Sequence, residues 1–147
     1  MISICYILIV LLIFFGDLYI KNRIEKAGPE IRNRKYFLIR KYHNKGAMLN
    51  LGQHKSRALA VLSVFLCLVL TAAFLLSLGN RGNNLLRSGL ALLLGGAFSN
   101  TYDRLKRKYV VDYFSFQVKW TPLRRIVYNL SDFCIIIGAL LAVLGSP

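Results

Sequence analysis

The chain has 147 residues and carries 20 Lys and Arg against 6 Asp and Glu, a formal net charge of +14, yet 56% of its residues are hydrophobic. That hydrophobic content excludes a disordered basic tail, and the uninterrupted apolar runs argue against a soluble nucleic-acid-binding domain. Charge and apolar residues must be segregated along the chain, and four bilayer spans of about 20 residues each would use most of the length. The expectation is an all-α integral membrane protein, one domain over 1–147, with transmembrane helices near 2–20, 58–78, 85–101 and 126–145 and a small extramembrane β-like element in the first loop. No room remains for a separate soluble catalytic domain, so any chemistry sits in or beside the membrane.

In chain order, the first apolar run goes from Ile2 to Phe15 and continues past Gly16 and Asp17 to Ile20. No Lys or Arg precedes it, and Asp17 and Lys21 follow rather than a small-x-small cleavage site, so it reads as a retained helix, not a signal peptide. The basic loop from Lys21 to Arg57 holds two stretches suited to short strands, Tyr36 to Tyr42 and Met48 to Leu51. His43 and His54 lie in this loop without ligand-spaced partners and read as solvated. Ala58 to Leu78 is an uncharged second run, and the turn Gly79 to Asn84 makes it an antiparallel neighbour of the third. That third run, Leu85 to Phe98, contains Arg87, expected to snorkel to the interface, and Gly89, Gly95 and Gly96, which permit close helix contact. The loop from Thr101 to Arg125 carries Lys106, Arg107 and Lys108, then the strand-like Tyr109 to Val118. The fourth run has a polar start, Tyr128 to Asp132, and is apolar from Phe133 to Leu144. Cys5, Cys67 and Cys134 all fall within apolar runs and read as buried thiols. Neither disulfide, metal site nor cofactor is expected.

The six carboxylates are Asp17, Glu25, Glu30, Asp103, Asp112 and Asp132. Alternating spans bring the end of helix one, the end of helix three and the start of helix four to one side of the membrane. Asp17, Asp103 and Asp132 mark those ends, and Asp112 lies in the loop joining the last two. Ionisable groups near hydrocarbon are costly and point to function. A structural reading competes for two of them: Asp17 and Lys21, four apart on one helical face, make an interfacial ion pair, and Asp103 stands beside Arg104. Asp112 and Asp132 have no basic residue within three positions. Two such carboxylates close together cannot both ionise cheaply, so one keeps a proton while the other acts as base. Asn44, Asn100 and Asn129 belong to the same face and could supply orienting hydrogen bonds.

These residues resemble signal peptidase II, a family of membrane aspartyl proteases that process prolipoproteins. Asp17-Leu-Tyr-Ile-Lys21 resembles the family's D-x-x-x-K, Asn44-Lys-Gly-Ala47 its N-x-G-A, and Gly95-Gly-Ala-Phe-Ser-Asn100 with Tyr102-Asp-Arg104 its G-G-A-x-G-N-x-x-D-R. Val110-Val-Asp-Tyr-Phe114 is similar to V-x-D-F, and Tyr128-Asn-Leu-Ser-Asp132 to F-N-x-A-D. The blocks occur in order over nearly the whole chain. The resemblance implies that Asp112 and Asp132 form the catalytic dyad, that Asn44, Gly46, Asn100, Asp103, Arg104 and Asn129 support the dyad and bind substrate, and that Asp17 and Lys21 are structural. It also implies no metal or other cofactor, and a substrate that is a lipidated prolipoprotein cut on the amino side of its diacylglyceryl-modified Cys. Ser99, Ser131 and Tyr113 replace Gly, Ala and Phe of the pattern, and Met48-Leu49 stand where an aromatic is common; near the pocket, these changes are expected to bear on substrate preference.

The location so implied is the bacterial cytoplasmic membrane, crossed several times, with the site near the extracytoplasmic face and the protein a monomer. The distribution of Lys and Arg, 11 in the first loop, 2 around the second and 7 in the third, opposes that orientation by the positive-inside rule; the ordered motif blocks favour the family arrangement. The basic loops are then assigned to anionic lipid headgroups. Two other readings use the same residues: a noncatalytic membrane adaptor or lipid-binding homologue of the same fold, and a nucleic-acid binder, which four spans and the absence of a stacking module disfavour.

Overall fold

A computed structural model of the chain describes residues 2–27, 30–33, 35–46, 55–79 and 83–146. The elements run α1 (Ile2–Lys26), β1 (Glu30–Asn33), β2 (Phe37–Asn44), α2 (Ser56–Gly79), α3 (Asn84–Lys106), β3 (Val110–Phe116), α4 (Thr121–Arg125) and α5 (Leu130–Leu144). Mostly helical, the protein also has a three-stranded antiparallel sheet in the order β1-β2-β3. Its third strand comes from the loop after α3, so the β element is not confined to the first loop as expected. Of the two strands anticipated there, Tyr36 to Tyr42 corresponds to β2, whereas Met48 to Leu51 lies outside the described residues.

Ser3–Lys26 and Ser56–Gly79 are each long and apolar enough to cross a membrane. Their outer faces are bare: Val61, Leu12 and Leu76 are 70%, 72% and 75% exposed. In an aqueous protein such faces would demand a partner; lipid satisfies them at no cost. α3 is the central helix and packs against α1, α2 and α5. Tyr6 and Val10 of α1, Phe74 of α2, and Leu90, Ala91 and Leu94 of α3 form the main core. A second cluster, Ile24, Val111 and Tyr113, seats the sheet on the end of α1.

Glycine sets the closest approach. A Cβ at Gly89 would stand 2.4 Å from the Ala142 nitrogen, and one at Gly138 would stand 2.6 Å from the Gly89 carbonyl oxygen. The backbones of α3 and α5 therefore touch, as small residues permit in apolar surroundings. At the end remote from the sheet, Asn83 caps α3 by accepting from the Leu86 N–H (2.9 Å) and also donates to the Gly145 carbonyl at the end of α5. Arg87 does not snorkel. It is buried, and its Nε donates to the Ser77 carbonyl at 3.0 Å, satisfying an orphan acceptor at the end of α2.

Three helix boundaries differ from expectation. α1 runs on to Lys26 because Lys21 to Lys26 sustain a helix that the apolar count alone would have stopped; Gly28 and Pro29 come next in the sequence. α3 continues to Lys106, so Asp103 and Arg104 are helical residues and not loop residues. It is closed by Lys108, which adopts a left-handed φ of 70° and donates its N–H to the Asp103 carbonyl at 3.1 Å. α5 begins only at Leu130, since Tyr128 pairs in antiparallel fashion with Phe114 and extends the chain beside β3.

Candidate active site

Every element that carries a predicted site residue meets at the sheet end of the bundle. β2 and β3 align Tyr42 with Asp112 and Asn44 with Val110. The Tyr128 segment bonds to β3 on its other side, with the Phe114 N–H on the Tyr128 carbonyl at 2.8 Å and the Tyr128 N–H on the Phe114 carbonyl at 2.6 Å. This clip delivers the start of α5 to the flank of Asp112.

Asn129 then joins the two aspartates. As N-cap of α5 it accepts from the Asp132 N–H (2.9 Å), while its own backbone N–H donates to Asp132 Oδ2 (2.9 Å), a reciprocal capping box. Its side-chain amide donates to Asp112 Oδ1 at 2.7 Å and to Asn100 Oδ1 at 3.2 Å. Asn100 donates to Asp132 Oδ1 at 3.0 Å, and Asn44 donates to Asp112 Oδ2 at 3.0 Å. All four carboxylate oxygens of the pair thus accept from named donors, supplied by three Asn residues from β2, α3 and the entry to α5.

The two aspartates line a cavity of about 210 Å³, with Asn44, Asn100, Arg104 and Tyr128 as its other polar walls and Val110, Ile126, Val127, Ile135 and Ile136 as apolar ones. Burial, and next the negative charge of Asp132, push the Asp112 carboxyl up to about 7; the amides of Asn44 and Asn129 and the ammonium of Lys21 pull the other way. Arg104 donates to the Gly46 carbonyl at 3.1 Å, and the Gly46 N–H donates to Asn44 Oδ1 at 3.1 Å. Gly46 therefore fixes Asn44, which in turn fixes Asp112.

Asp103 is not in the cavity. Its Oδ2 accepts the Val111 N–H at 3.1 Å and lies 3.2 Å from Lys21 Nζ, while Oδ1 is 3.1 Å from Arg107. It anchors β3 to α3, one position before the strand presents Asp112, instead of facing a substrate. Nor are Asp17 and Lys21 an interfacial pair: both are fully buried, 2.8 Å apart. Two acids and two bases, Asp17, Asp103, Lys21 and Arg107, balance within this cluster. Removing one member of such a buried pair strands the other at a cost of about 3–5 kcal/mol.

Ser99, Ser131 and Tyr113 do not line the cavity either, which removes the basis for linking them to substrate preference. All three hydroxyls point to Asp17. The sequence signal was available as three polar replacements at once, but nothing in a linear reading said that they converge. Met48 and Leu49 lie outside the described residues, as do Ala47 and His54. His43 is not simply solvated: it stacks on Tyr109 and sits 2.9 Å from Glu25. Cys67 is buried, Cys134 partly so and Cys5 exposed on α1.

Residues 9–146 match the family described as Signal peptidase (SPase) II. The chain belongs to the signal peptidase II family. Members of the signal peptidase II family are aspartic peptidases, and the chain is a membrane hydrolase of that class. A lipoprotein signal peptidase of Caldanaerobacter subterraneus is 31% identical over 141 residues, 92% of this chain and 90% of that protein. One of Clostridium acetobutylicum is 34% identical over 77% of this chain and 70% of its own length. One of Moorella thermoacetica is 34% identical over 72% of this chain, and the match spans 65% of that relative. The fold is shared with a bacterial membrane enzyme solved by the in meso method at 2.3 Å resolution, with a TM-score of 0.79 and 21% identity over 95% of this chain and 85% of that one.

Proposed function

We propose that the chain is a membrane-embedded aspartyl endopeptidase that removes signal peptides from diacylglyceryl-modified prolipoproteins, with Asp112 and Asp132 as its catalytic dyad. The observation that carries the reading is Asn129, which donates to Asp112 through its side chain and to Asp132 through its backbone N–H at the wall of one cavity. A single residue so placed holds two carboxylates at a fixed separation on a common reacting centre. At neutral pH the pair keeps one proton, held on Asp112, whose carboxyl is raised to about 7. Asp132 takes a proton from water, and the water oxygen attacks the scissile carbonyl. Asp112 gives its proton to the carbonyl oxygen as the water oxygen bonds to carbon; the gem-diol then collapses as the C–N bond breaks, with Asp132 passing its proton to the leaving amine and Asp112 taking one back from a gem-diol hydroxyl. The bond cut is the one on the amino side of the lipidated Cys.

The single domain crosses the membrane four times. α3, at 23 residues, is about 34 Å long and suffices to span. α5, at 15 residues, reaches only about 22 Å and is shorter than the hydrocarbon core of roughly 30 Å. Asp132 in its first turn is therefore recessed below the membrane surface, where a peptide bond tethered to acyl chains can reach it without the lipid leaving the bilayer. Substrate chemistry places this end on the extracytoplasmic side of the cytoplasmic membrane. The basic loops lie against anionic headgroups, and the protein acts as a monomer.

Cleavage of a diacylglyceryl-modified precursor by the purified protein in phospholipid vesicles, with the new N-terminus read by mass spectrometry, tests the substrate assignment. A product beginning at the lipidated Cys is expected. Equal turnover of a precursor whose Cys is replaced by Ala would refute the lipid requirement.

A further inference from the structure

Ser99, Ser131 and Tyr113, three residues that depart from the family pattern, aim their hydroxyls at one buried carboxylate. Ser99 Oγ donates to Asp17 Oδ2 at 2.7 Å, Ser131 Oγ donates to the same oxygen at 2.5 Å, and the Tyr113 hydroxyl donates to Oδ1 at 3.1 Å. Each is the immediate sequence neighbour of a group in the dyad network: Ser99 precedes Asn100, Ser131 precedes Asp132, and Tyr113 follows Asp112. The three come from α3, α5 and β3, and Asp17 from α1. One carboxylate of α1 thus ties together α3, β3 and α5, the elements that carry Asn100, Asp112 and Asp132. Tyr113 adds a further tie by accepting the Leu130 N–H at 2.9 Å, at the first residue of α5.

Lys21 extends the cluster toward the reacting groups. Its Nζ lies 2.8 Å from Asp17 Oδ2 and donates to Ser99 Oγ at 3.0 Å and to Asn100 Oδ1 at 2.9 Å. An ammonium only donates, so Asn100 must turn its oxygen to Lys21 and its NH2 to Asp132 Oδ1. Asp17, Lys21, Ser99 and Ser131 are wholly buried, and none of them lines the cavity. Bulk solvent does not reach these four residues, and no contact with a substrate in the cavity would account for their bonds.

We propose that Asp17 is the positioning centre of the dyad: with the hydroxyls of Ser99, Ser131 and Tyr113 and with Lys21, it sets the relative placement of Asp112 and Asp132 without touching substrate or the reacting atoms. The three hydroxyls work as one set because they share a single acceptor. Hydrogen bonds to an ionised acceptor are short and strong, and a small displacement of a reacting group is costly in rate. The proposal rests on the dyad assignment above.

Because these groups lie outside the cavity, their loss acts on kcat and spares KM. Steady-state cleavage of a diacylglyceryl-modified precursor is measured for Ser99→Ala, Ser131→Ala and Tyr113→Phe, singly and combined, in the native and the Asp17→Asn backgrounds. Each single change is expected to lower kcat roughly 3- to 10-fold at constant KM, and the triple to lose less than the product of the three. With Asn at position 17, removing the hydroxyls should alter kcat by less than about 2-fold. A triple variant within about 2-fold of native kcat, or equal losses in both backgrounds, overturns the proposal. If Asp17→Asn fails to accumulate, the Ser131→Ala and Tyr113→Phe pair decides: non-additive losses support a shared acceptor, and strictly multiplicative ones overturn it. Asp112→Asn runs alongside, since activity retained there would sink the dyad assignment itself and is a separate outcome.

Discussion

Asp112 meets opposing influences. Burial and the charge of Asp132 favour its protonated form, while the amides of Asn44 and Asn129 and the Lys21 ammonium favour the ionised one; the first pair dominates and leaves the carboxyl at about 7. The sign for catalysis follows directly. Below that value Asp112 holds the proton that the scissile carbonyl needs, and above it that proton is lost and the donor is gone. Activity is therefore expected to fall as pH rises through about 7, measured as kcat from about pH 5 to about pH 9. Carbon-13 NMR of labelled Asp should show the Asp112 midpoint moving down in Asp132→Asn, which removes a like charge, and up in Asn44→Ala, which removes a hydrogen bond to the ionised form. A midpoint near 4 in the native protein would contradict this electrostatic account. At this scale the sequence singled out two residues that the fold brings to one cavity, because carboxylates are rare in the chain and Asp112 and Asp132 have no basic residue within three positions. It was silent on direction: Asp103 and Arg104 are adjacent, yet one helical step turns Asp103 to Lys21 and Arg104 to the cavity.

The elements are held in register by contacts between backbones. Gly96 of α3 faces the Ser131 carbonyl, where an added Cβ would come within 2.6 Å, one residue before Asp132. Gly96→Ala is expected to destabilise the fold by about 1–3 kcal/mol and to lower kcat by displacing the first turn of α5. Gly16, with nothing within 4 Å of the same added atom, is the control, and Gly16→Ala should leave kcat and thermal midpoint near native. Equal effects of the two substitutions would mean that the α3–α5 contact does not place Asp132. Small residues in the third run announced such a contact without naming its partner. Helix centres were legible from apolar runs, but their ends were not: α1 and α3 extend into charged sequence, and α5 starts late because Tyr128 is recruited by β3. The pairing of Tyr128 with Phe114 joins separate segments and has no local signature.

For the whole molecule, composition foretold a membrane protein, and the bare apolar faces of α1 and α2 agree with it. Charge counting and substrate chemistry disagree on which way round it sits. Most of the 20 cations are in or beside the loops at the sheet end, and a folded sheet with buried ion pairs is a poor subject for a rule drawn from short flexible loops. Alkaline phosphatase fused after residue 106 should be active and a cytoplasmic reporter there silent; the reverse would invert the proposed orientation. The central claim is chemical and has a more direct test. In the precursor-cleavage assay, Asp112→Asn and Asp132→Asn should each lower kcat by at least about 10³-fold while the variants insert and accumulate like the native protein. Native rates of processing by either variant would contradict the assignment of the dyad.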